Sequence, residues 1–230
     1  MSRQIKFNLF TYFAFLSIAI IGILYGDTLI DKYSNLRIWT IYNILLMLIG
    51  IPFLFIFNKS DIPDFWQENI DNKKRVWFPF SIGLIFGLLD VIILKIVLHP
   101  EPYKALPPFA QPFPYSIFLF FSGAFEIEVF YRLIPITLIC WVGTWFKKGY
   151  FLKYFFIFGA VLTSLREPLE QLQSGALWLI LYSFFSGFAM NFIQALYFKK
   201  TGFISSLSLR LGHYLLWHII LGFYIQQFEL

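Results

Sequence analysis

Glu126, Glu128 and Arg132 interrupt an apolar run of about 25 residues, long enough to cross a bilayer, where each charge costs roughly 2.5 to 3.5 kcal/mol to insert. Charges placed there need partners or a function. On a regular helix Glu128 and Arg132 stand four residues apart on one face, acid first, and are expected to pair directly. Glu126 is rotated about 200° from Glu128 and must look elsewhere. Two histidines near the C-terminus, His213 and His218, add groups that can hold or move a proton near neutral pH. Five residues apart, they point about 140° away from each other, so one straight helix cannot bring both to one metal ion. A carboxylate and imidazole set of this kind can activate a water by general base catalysis once burial has raised the carboxylate pKa.

The elements that must position these groups are membrane spans. Hydrophobic residues make up 59% of the 230, charged residues only 13%, and 31 Phe, 13 Tyr and 7 Trp suit lipid-facing helices with aromatic belts. Apolar stretches at about 7–26, 37–57, 76–98, 115–141, 150–167, 176–198 and 203–227 predict an all-α polytopic transmembrane helical bundle of about seven helices. The fourth is long, and Pro135 is placed to kink or split it. No small-residue cleavage site follows the first stretch, so it reads as an uncleaved anchor.

Loop charges orient the bundle. Arg3, Lys6, Lys59, Lys73, Lys74, Arg75, Lys147, Lys148, Lys199 and Lys200 fall on one side, against Lys32, Arg37 and Lys104 on the other. The positive-inside rule then puts the N-terminus in the cytoplasm and the C-terminus outside, in what is expected to be the cell membrane. The net charge of +5 is spread over these short loops and forms no nucleic-acid stripe, so no nucleic-acid partner is expected. Neither an internal repeat nor a linker divides residues 1–230, which read as one integral membrane domain.

Asp90, Glu126, Glu128, Arg132, Arg166, Glu167, Asn191, Arg210, His213 and His218 all fall at similar depth when counted from the span ends, most within a slab roughly 15 Å thick. A single polar site requires that convergence, and a structural ion-pair network between helices would produce it as well. Serine chemistry finds no G-x-S-x-G context, no H-E-x-x-H motif marks a zinc helix, and the single Cys140 sits in an apolar run. Whether a cofactor is used is left open. The carboxylates near mid-membrane are nearly balanced by Arg132, Arg166 and Arg210, so a divalent metal is possible but not favoured, because it would have to displace arginine pairing.

The stretch IEVFYR resembles the E-E-x-x-x-R motif of the CPBP membrane proteins, which include CAAX prenyl endopeptidases and bacteriocin-processing proteins. A span ending in REPLE, the GFAMNFIQALYF span, the YFKKTGFIS turn and a last histidine-bearing helix follow in the order of that family, over about 115–222. The resemblance implies an intramembrane endopeptidase acting on a membrane-associated peptide. Glu126 or Glu128 would serve as general base, Arg132 would hold the carboxylate, and His213 or His218 would stabilise the oxyanion or the water. Ile127 occupies the place of the family's first glutamate, and Leu162 and Arg166 stand where its F-x-x-x-H motif has Phe and His. The alternative is a non-catalytic binding or scaffolding protein on the same fold, whose partners are membrane lipids and a membrane-associated peptide or a partner's transmembrane segment.

Overall fold

A computed structural model describes residues 2–33, 35–171 and 175–230. Seven helical rods account for most of them, and no strand occurs among the described residues. They are α1 (Arg3–Asp27), α2 (Ile41–Leu54), α3 (Lys73–Val97), α4 (115–145), α5 (Leu152–Glu170), α6 (Leu177–Thr201) and α7 (203–228). Three of these, α1, α3 and α6, are long and apolar enough to cross a membrane, each 25 residues. Their outward faces carry large apolar side chains such as Phe10, Leu24, Ile85, Ile96 and Phe185, as a lipid-facing surface requires.

The second rod is shorter than its hydropathy suggests. It breaks after Leu48 and resumes as Ile51–Leu54 beyond Gly50, with Pro52 in the first turn. At 1.5 Å per residue it reaches about 21 Å, short of the roughly 30 Å of a hydrocarbon core. The fourth rod does not split at Pro135. Tyr115–Glu128 passes through a wide i→i+5 turn at Val129–Leu133 into Ile134–Trp145. A proline lacks the N–H that would reach back one turn, and a wide turn just before it keeps the rod continuous.

The last rod runs through the middle of the bundle, against α3, α6 and the first half of α4, while α4 also packs on α1 and α5. Glycine sets the closest of these approaches. A Cβ on Gly83 of α3 would lie 1.9 Å from the Leu209 carbonyl oxygen, and one on Gly212 of α7 would lie 2.1 Å from that of Phe80. Gly83 and Gly87 are four apart on one face of α3, the small-residue spacing that lets two helix backbones touch. A single buried apolar cluster draws residues from α1, α2, α4, α5, α6 and α7, including Tyr12, Met47, Phe125, Phe156, Phe198 and Phe203.

Two loops are tied into this frame. Asp64 accepts a hydrogen bond from Asn8 Nδ2 at 2.6 Å, and Asn8 Oδ1 accepts from Phe65 N at 3.0 Å, which pins the loop before α3 to α1. The loop between α3 and α4 folds back on α7, where Phe109 stacks on Trp217 and Phe113 N donates to Gln226 at 2.9 Å.

Candidate functional site

Four charged side chains meet in the interior, two acids and two bases. Arg210 of α7, wholly buried, donates through Nε to Glu128 Oε1 at 2.9 Å. Its two terminal nitrogens each donate at 2.9 Å to one oxygen of Glu167 on α5, the bidentate geometry in which a guanidinium holds a carboxylate best. Arg132 of α4, also wholly buried, donates to Asn191 Oδ1 at 2.6 Å and to the Asn191 carbonyl at 2.9 Å. The two like-charged guanidiniums share acceptors, since Asn191 Oδ1 and Gln194 Oε1 each take a bond from both. Net neutrality and the bonds made by all of these donors except Arg132 Nε, which is buried without a partner, make the burial of four charges tolerable.

The expected direct pair of Glu128 with Arg132 does not form. Glu128 is taken up by Arg210, by Gln194 Nε2 at 3.1 Å and by the Ser206 hydroxyl. The wide turn at Val129–Leu133 disturbs the regular i,i+4 register, and Arg132 finds its acceptors on α6 instead. Glu128 is therefore reached from α7 by Arg210, one turn before His213, and His213 itself faces away. Its Nε2 lies 2.7 Å from Asp90 Oδ2 on α3, and the other Asp90 oxygen accepts from the Tyr182 hydroxyl at 2.7 Å. His218 is a packing residue, stacked on Phe120 with ring centres 4.1 Å apart and bonded through Nδ1 to the Phe109 carbonyl at 2.6 Å.

A cavity of about 780 Å³ opens beside this network, within the size range of small-molecule sites. Asp90, Glu126, Glu167, Asn191, His213 and His218 reach its wall, whereas Glu128, Arg132 and Arg210 lie behind it. Glu126 faces the cavity half-buried, with Asn43 beside its carboxyl group. The structure thus splits the five sequence-predicted residues. Glu126, His213 and His218 line a cavity, and Glu128 with Arg132 belongs to the ion-pair network.

Asp90 and Tyr182 are the additions that sequence reasoning did not pair with a histidine. Gln194 and Ser206 escaped it too, although Gln194 stands three after Asn191 and Ser206 four before Arg210, spacings that share a helix face. Arg166 turns outward to Glu170, four residues on, at 2.8 Å and takes no part in the interior. At that solvated helix end the Tyr131 hydroxyl and Arg166 hold the Glu170 carboxyl below the usual carboxylate range. No group of three or more His, Cys, Asp and Glu side chains placed to hold a metal ion occurs among the described residues.

A helical architecture among the described residues, with three helices long and apolar enough to cross a membrane, is compatible with a helical membrane protein and defines the class no more narrowly. No protein-family model, no curated protein and no solved structure matches the chain.

Proposed function

We propose that the chain is a polytopic membrane protein of about seven spans, N-terminus in the cytoplasm, that binds a membrane-associated peptide or a partner's transmembrane segment without cleaving it. One observation carries this reading. Glu128, one of the two glutamates that the CPBP resemblance offers as general base and the one that matches its motif, is wholly buried, off the cavity wall and already bonded to Arg210, Gln194 and Ser206. A base must come within hydrogen-bond reach of the proton it takes, and this carboxylate is buried off the cavity with both oxygens already engaged by protein donors.

A CPBP-type endopeptidase acting through carboxylate-activated water is the second reading, and the Asp90–His213 pair favours it. An acid that fixes one ring nitrogen of a histidine on a cavity wall is an arrangement that prepares the ring as a base. In that reading Asp90 orients His213 and His213 takes the proton of water, the task the resemblance gives to Glu126 or Glu128.

The experiment uses purified protein in lipid nanodiscs and a library of hydrophobic peptides, scored for capture and for cleavage. Capture with no cleavage is the expected result. Cleavage abolished by His213→Ala would replace it with the second reading, and failure to capture any peptide would sink the first.

A further inference from the structure

The three carboxylates on the cavity wall are not equally satisfied. Glu167 is answered on both oxygens by Arg210, and Asp90 by Tyr182 and His213. Glu126 forms no ion pair among the described residues, and only the uncharged Asn43 stands beside it. Nδ1 of His213 is buried without a partner, while Nε2 of the same ring is held by Asp90.

The wall's one arginine, Arg37, sits at the far end. Its backbone carbonyl accepts from the Tyr115 hydroxyl at the start of α4, and Glu126 lies eleven residues further along, about 16 Å at helical rise. Trp39, Phe120, Tyr214 and Trp217 supply aromatic side chains to the same wall. A carboxylate without a counter-charge in such surroundings is costly, and it turns favourable when a cation arrives with its own donors. A primary ammonium supplies one charge and three N–H groups, and aromatic rings attract it further.

We propose that this cavity is a binding site for a primary ammonium group carried on an apolar chain, with the ammonium seated against Glu126. The inference rests on reading the cavity as a ligand site and adds the chemistry of the ligand's head. Amine on a single-chain amphiphile and the free amino terminus of a hydrophobic peptide are the two sources of that chemistry.

The test measures quenching of tryptophan emission in nanodiscs, since Trp39 and Trp217 line the cavity. The probes are bromododecylamine, bromododecanol, and one apolar brominated peptide with a free or an acetylated amino terminus. At least tenfold tighter binding of one amine probe than of its neutral match is expected, and whichever amine binds identifies the source. Glu126→Gln should bring the amine down to the level of the neutral match, and Glu126→Asp should keep part of the preference. Gel filtration and thermal unfolding report whether each variant is folded. If Glu126→Gln does not fold, loss of the preference in the wild-type protein on acidification below the carboxylate range is read instead. Equal binding of amine and neutral probes would overturn the ammonium site and leave the cavity as a ligand site. Absence of binding by any probe would overturn both.

Discussion

Each guanidinium of the interior is held by more than one partner, and that redundancy sets what single substitutions do. Arg210 answers Glu128 and Glu167 together, so Arg210→Met leaves two buried carboxylates without an ion-pair partner and with Arg132 as the one positive charge in the cluster. Breaking such a pair costs about 3–5 kcal/mol, and thermal unfolding should show the loss. Adding Glu167→Gln to Arg210→Met should recover a measurable part of it, because a neutral amide replaces the stranded charge. A double variant no more stable than Arg210→Met alone would mean that the bidentate pair contributes little. At this scale the sequence was half legible. Ten polar residues at one depth included Glu128, Arg132, Glu167 and Arg210 without setting them apart, and the one pair the spacing suggested, Glu128 with Arg132, is not the pair that forms. The pairing depends on a wide turn at Val129–Leu133 and on amide acceptors of α6, neither of which leaves a periodic signal.

Helices α3 and α7 touch through backbone, and the elements should respond accordingly. Gly83→Ala puts a methyl 1.9 Å from the Leu209 carbonyl oxygen, and a backbone atom inside a packed helix cannot swing aside as a side-chain tip can. Overpacking commonly costs about 1–3 kcal/mol, and with backbone on both sides the upper end or beyond is expected in thermal unfolding. Gly123→Ala is the control. Its Cβ would meet nothing closer than Trp39 at 3.9 Å, and alanine is the better helix former by up to about 1 kcal/mol. Long rods were legible from hydropathy: stretches at about 7–26, 76–98 and 176–198 appear as Arg3–Asp27, Lys73–Val97 and Leu177–Thr201. The second stretch was not, since hydropathy registers lipid solubility and is blind to the break at Gly50. G-x-x-x-G spacing at Gly83 and Gly87 was readable in the chain, and it marks the face on which α3 meets α7.

The whole molecule makes a prediction that does not depend on ligand or chemistry. A reporter fused after Lys74 should be cytoplasmic and one after Glu229 external, as the bias of basic loop residues requires. Reporters on the same side would mean an even number of crossings among α3–α7, whereas failure of the short α2 to cross would leave them on opposite sides but exchanged, with Lys74 outside and Glu229 in the cytoplasm. The order in which the chain is made gives the interior network a history as well. Arg210 is synthesised 82 residues after the Glu128 it neutralises. At ribosomal rates of about 5–20 residues per second, that is a delay on the order of 4–16 s. During it Glu128 on the fourth rod has not yet met Arg210. Nascent chains arrested before α7 emerge should therefore stay bound to the translocon or be handed to membrane proteolysis, and release into lipid should coincide with the arrival of the last helix.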